Sequence, residues 1–158
     1  MYASKRDDRS GLMVGIFCGT PEDRDYAESI ASIAVSDASA ARQALTHACV
    51  LVIEGTMVPP PPIWRQRMAE ANNQLMAERY YFALVSPKLV FRGVFTAITW
   101  LTRRRPGHHL VAFPDVAQAS TWLERDAGKP ALDVRRLYEQ ARLELFANAR
   151  PMRGARAG

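Results

Sequence analysis

Two carboxylates, Glu54 and Asp115, stand where apolar runs end. At the C-terminal ends of parallel strands such groups are placed to act on a bound ligand as an acid–base pair. No nucleophile or electrophilic stabiliser accompanies them, and Asp115 equally suits the cap of a helix starting near Val116, so a structural role is preferred for both. His108 and His109 are neighbours on a strand-like run, where adjacent side chains point to opposite faces and share a metal poorly. His47 is far off in sequence and no cysteine or carboxylate spacing completes a site, so no metal is expected. Cys18 and Cys49 each lie inside an apolar run without CxxC spacing and read as small buried hydrophobes, not as a disulfide. Gly11, Gly15 and Gly19 enclose strand residues and cannot form a phosphate loop. Serine, histidine and aspartate never occur in the strand–turn–helix setting of a hydrolase elbow. No cofactor is expected, and an enzyme is the least supported class.

The remaining chemistry is cationic. Arg103, Arg104 and Arg105 close a helical pattern, where cations complement unsatisfied carbonyls, but a helix end hardly requires three of them. The sharper reading is a patch for an anion or an acidic partner built from Arg92, Arg103, Arg104, Arg105 and His108. The net charge of the chain is +5, and setting aside Arg103–Arg105 with Arg150, Arg153 and Arg156 leaves −1. The basic excess thus sits at one helix end and in one tail, not along a face with aromatic partners, which disfavours nucleic acid.

These residues belong to a chain of 158, enough for one core. No apolar run approaches the roughly 20 residues that span a bilayer, and Met1–Asp8 lacks the apolar core of a signal peptide. A cytoplasmic location is the expectation.

The positioning elements read as follows. Tyr2–Lys5 forms a short edge strand beside Leu12–Cys18, across the turn-like Asp7–Gly11. Thr20 as cap, Pro21 at the first helical position and the carboxylates Glu22 and Asp23 predict a helix start, with Tyr26, Ile30, Ile33 and Ala34 on one face. Ser36-Asp37 is expected to break this helix, with a second helical piece over Ala38–His47. Ala48–Ile53 is continuously apolar, as a strand covered on both faces should be. Four prolines, Pro59–Pro62, connect it to a helical pattern carrying Trp64, Met68, Ala71, Leu75 and Met76. Tyr80–Val85 is the next strand, and Ser86 with Pro87 predicts the start of a helix with an apolar stripe of Val90, Val94, Ile98 and Leu101, widened by Phe91 and Phe95. Its width of apolar surface predicts packing on more than one side. His109–Phe113 is a strand, a helix carrying Ala119, Trp122 and Leu123 follows, and Leu137, Tyr138, Ala141 and Leu145 mark a last amphipathic helix. Trp64, Trp100 and Trp122 are all expected in helix–sheet packing. Alternation of this kind predicts an α/β fold, a largely parallel sheet of four to five strands with packed helices and an added C-terminal helix.

This order, with particular residues, resembles the STAS domains of bacterial anti-sigma-factor antagonists, and more narrowly a SpoIIAA-like bacterial branch without an assigned function. The matching residues are Asp7-Asp8-Arg9, Leu12–Phe17 with Gly19-Thr20-Pro21 and Tyr26, then Cys49–Ile53 with the proline-bearing loop. The later ones are Ser86-Pro87, Arg92-Gly93-Val94, Thr96-Ala97, Trp100-Leu101, His109–Phe113, Ala119, Trp122 and Leu123. The resemblance covers roughly residues 5–125 and implies a domain over 1–125, leaving 126–149 as a C-terminal helical extension and 150–158 as a basic tail expected to be disordered. It implies a non-enzymatic signalling or protein-interaction module, a regulatory antagonist with a protein partner, and it is compatible with a homodimer. The family's phosphoacceptor follows the central strand. Here that loop holds Glu54-Gly55-Thr56-Met57-Val58, where the usual Asp-Ser pair is missing and Thr56 is the sole candidate hydroxyl. Two other readings stand beside this one: a binding module for a small apolar or anionic, lipid-like ligand, and weak nucleic-acid binding through the arginines. An apolar cavity opening near Arg92 or Arg103 would favour the ligand.

Overall fold

A computed structural model describes residues 1–55 and 57–148. Five strands form one sheet in sequential order, β1 (Tyr2–Asp7), β2 (Leu12–Cys18), β3 (His47–Glu54), β4 (Tyr80–Val85) and β5 (His108–Phe113). β1 runs antiparallel to β2 through the expected hairpin, and β2 to β5 are mutually parallel. The helices are α1 (Asp23–Arg42), α2 (Pro62–Asn73), α3 (Leu89–Leu101), α4 (Val116–Ala127) and α5 (Ala131–Asn148). This is the α/β architecture that the alternation predicts.

Each parallel strand adds on the same side of the last. Crossovers of one hand therefore leave α1, α2 and α3 together on one face. Leu12, Val14 and Ile16 point toward α4 and α5, where they meet Ala119, Leu123, Val134, Leu137, Ala141 and Leu145. Their neighbours Met13 and Phe17 point the other way, toward Tyr26 of α1, Trp64 of α2 and Phe91 and Phe95 of α3. Burial on both faces explains why β2, β3 and β4 are apolar without alternation. A relay of rings, Tyr2 to Phe17 (4.9 Å), Phe17 to Tyr26 (5.5 Å) and Tyr26 to Trp64 (5.4 Å), carries contact from the edge strand to α2. α5 is integral to the core: four of its residues are buried, and it packs across β1 and β2.

Several local expectations are corrected. α1 is unbroken through Ser36-Asp37, and His47 opens β3 instead of closing a helix. Ser36 and Asp37 normally compete with their own backbone, but here they face inward and find partners elsewhere. Thr20 is not the cap of α1; Glu22 is, and its amide donates to Asp25 Oδ2 at 2.7 Å. α2 ends at Asn73, so Leu75 and Met76 lie beyond it. α3 begins at Leu89, after Ser86 Oγ has accepted the Lys88 amide at 3.3 Å. Its covered residues are Phe91 and Phe95, while Val90 and Leu101 are exposed, and its outer side has no neighbour among the described residues. Trp64 is buried and Trp122 half-buried, but Trp100 is 79% exposed.

Candidate functional site

Arg103, Arg104, Arg105 and His108 are brought together by the connection from α3 to β5. With Thr99, Trp100, Thr102 and Leu110 they line an open cleft beyond the end of α3. The arginines do not cap α3. Its last turn closes on hydroxyls, with Thr99 Oγ1 donating to the Thr96 carbonyl (2.7 Å) and Thr102 Oγ1 to the Thr99 carbonyl (2.8 Å). The connection is instead pinned to the residues at and after the end of α2. The Arg103 amide donates to Asn73 Oδ1 at 2.7 Å, and Arg105 Nη1 donates to the Leu75 carbonyl at 2.6 Å. Gly107 makes the turn into β5 at φ +81°, with a Cβ there falling 2.6 Å from the Glu78 carbonyl oxygen, so only glycine fits. His108 Nε2 lies 2.9 Å from the Ala77 carbonyl, and burial lowers the imidazole pKa. Arg103 and Arg104 are exposed. Arg92 sits within α3 and does not line this cleft, so the structure gathers four of the five cationic candidates and leaves one apart.

Beneath α3 lies an apolar cavity of about 100 Å³ between the sheet and helices α1, α2 and α3. Ile30 and Ile33 of α1, Met68 of α2, Leu51 and Leu84 of the sheet and Ile98 of α3 are among its walls. Thr102 and Leu110 line both the cavity and the cationic cleft, so the two meet at the end of α3. The sequence signal for this cavity was the apolar face of Ile30 and Ile33 together with the arginine run. Nothing in the sequence showed that they converge.

A second arrangement went unseen in the sequence. His47 Nε2 is 3.1 Å from Ser36 Oγ, and His47 Nδ1 is 3.3 Å from Asp37 Oδ1, though off-line for a hydrogen bond. Serine, histidine and aspartate in this contact order suggest a nucleophilic relay. All three are buried, and none lines the cavity or the cleft, so no substrate carbonyl can reach the hydroxyl. Asp37 also accepts the Met76 amide at 2.6 Å and the Ala77 amide at 3.3 Å. The cluster is a clamp joining α1, β3 and the approach to β4.

The other candidates are engaged in structure. Glu54 accepts the Tyr138 hydroxyl and lies 3.4 Å from Arg142 Nε, holding α5 to the end of β3. Burial and this carboxylate together raise the Tyr138 pKa. Asp115 caps α4 by accepting the Gln118 amide at 2.8 Å. His108 and His109 face opposite sides of the sheet, one 5.5 Å from the Tyr80 ring and the other stacked 4.7 Å from Tyr81. Cys18 and Cys49 are free, five residues apart in register on β2 and β3 and facing opposite layers. Thr56, the candidate phosphoacceptor, and residues 150–158 lie outside the described residues. Among the described residues, no helix is long and apolar enough to cross a membrane.

Comparison of the chain with protein-family models, with curated proteins and with solved structures finds no match. The fold defines an α/β protein with a mixed five-stranded sheet, and the function is argued from the site.

Proposed function

We propose that the chain is a non-enzymatic, STAS-like binding module for a compact ligand with an apolar body and an anionic end. One observation carries the reading: an apolar cavity and a cleft holding three arginines share Thr102 and Leu110 as common walls. The engagement of Glu54 and Asp115 in structural bonds supports binding over catalysis.

The size of the ligand follows from the volume. An engineered protein cavity of roughly 150 Å³ takes up benzene. A cavity of about 100 Å³ therefore receives a few carbons at most while α3 stays in place. Leaving such a volume empty costs about 2 kcal/mol, which an apolar occupant recovers. Charge selection falls to Arg103 and Arg104, since Arg105 already spends one donor on the Leu75 carbonyl.

The test is calorimetric titration with short aliphatic carboxylates, each paired with its neutral alcohol. Carboxylates should bind more tightly than the alcohols, and Arg103→Gln with Arg104→Gln should weaken the carboxylate about tenfold, leaving the alcohol unchanged. Equal weak binding of both members of every pair would defeat the reading.

A second reading, a regulatory antagonist acting on a protein partner, is favoured by β5. It is an edge strand with one side unpaired among the described residues, and His109 and Val111 are exposed along it. Such an edge can accept a partner's strand. Substituting Val111 by proline should then abolish partner capture without affecting the small anions.

A further inference from the structure

Helix α3 has two apolar faces, and only one is covered. Phe91 and Phe95 are buried, and Ile98 turns into the cavity. At 3.6 residues per turn, Leu89, Val90, Gly93, Ala97, Trp100 and Leu101 fall within an arc of about 120° on the outer side. Four of them are large and exposed: Leu89 at 75%, Val90 at 53%, Trp100 at 79% and Leu101 at 60%. The charge around this face has one sign. Lys88 precedes the helix, Arg92 lies about 60° outside the arc, and Arg103, Arg104 and Arg105 follow. No carboxylate occurs in the sequence between Glu78 and Asp115.

We propose that this face of α3 docks on an anionic lipid surface. The helix lies in the plane of the headgroups, with Leu89, Val90, Trp100 and Leu101 among the first acyl carbons and the arginines against the phosphates. An apolar stripe bearing tryptophan and edged by basic residues is the signature of an interfacial helix. Charge excludes the other simple occupant, a second copy, which would set two groups of five cations against each other. Shape disfavours a protein partner. The face is the convex side of one helix: Leu89, Val90 and Leu101 line neither the cavity nor the cleft, and Trp100 alone of the four is a wall of the cleft, so the face projects side chains outward more than it receives a partner's anchor.

The experiment uses the full chain with vesicles of phosphatidylcholine, alone or mixed with phosphatidylserine, followed by co-sedimentation and tryptophan fluorescence. Binding is expected only with phosphatidylserine present. It should shift Trp100 emission to the blue and fall as salt rises. Leu89→Gln with Val90→Gln should lower the partition about tenfold or more. Arg103→Gln with Arg104→Gln should lower it about thirtyfold. Unchanged thermal unfolding would show that both double variants keep the fold. The first pair lies outside the cavity and cleft linings, so it should leave titration with small carboxylates intact; lipid docking and ligand uptake can thus fail separately. The proposal is overturned by the absence of sedimentation at low salt, or by binding that neither double variant weakens. A concentration-dependent dimer that buries Trp100 without lipid would overturn it too, as would retention on an acidic helical peptide but not on vesicles.

Discussion

The Asp37 carboxylate sits between two backbone amides and His47, in the interior of the α1 side of the sheet. Burial alone would raise its pKa, but His47 and the Met76 and Ala77 amides outweigh that and hold it below the usual carboxylate value. A carboxyl group whose folded pKa lies below its unfolded value of about 3.9 stabilises the fold fully above that pH. That stability is lost as pH falls through the lowered value. Acid unfolding should therefore begin below about pH 4, and Asp37→Ala, which leaves both amides without a partner, should cost about 3 kcal/mol in urea denaturation at neutral pH. His108 acts at a higher pH. Its folded pKa is lowered, so its contribution is complete above about pH 6.5 and declines as the solution is acidified through that value. His108→Gln should flatten the stability–pH profile there and leave the steeper loss below pH 4 unchanged, which a series of denaturation curves would resolve.

At the scale of elements, the turn that delivers the arginines to the cleft depends on Gly107. Its φ of +81° and the nearby Glu78 carbonyl make Gly107→Ala destabilising by about 2 kcal/mol, measurable by thermal unfolding. The strands were legible because burial on both faces leaves a direct trace, an uninterrupted apolar run, and β3 and β4 carry it. The cap of α4 was legible for the same kind of reason, since Asp115 and the amide it binds are three residues apart. Ser36-Asp37 misled because the partners that relieve these side chains of competing with their own backbone lie 11 to 40 residues away. Trp100 misled because a helical pattern reveals the width of an apolar face but not how many neighbours cover it. The cleft was half legible: the three consecutive arginines stand out, while their link to the cavity runs through Thr102 and Leu110, which carry no signal of their own.

At the scale of the molecule, two layers of helices guard the sheet unequally. α4 and α5 close one side tightly, with Val134, Leu137, Ala141 and Leu145 buried against β1 and β2. Deleting residues 131–158 should therefore unfold the domain, seen as a loss of cooperative melting by circular dichroism, because the sheet's apolar face would meet water. The α1–α3 side keeps a void, and its filling has a distinctive sign. Ala71→Leu, on the cavity wall and half-buried, should raise stability by about 1 kcal/mol and at the same time block ligand uptake, whereas a substitution in a filled core lowers stability. The most direct test of a cavity joined to a cationic rim is a methyl NMR titration with a short-chain carboxylate. Binding should move the methyl signals of Ile30, Ile33, Leu51 and Ile98 together with the side-chain signals of the rim arginines. Saturating carboxylate that leaves those methyl groups unmoved, or moves only Leu132 and Leu143 on the outside of α5, would contradict the account.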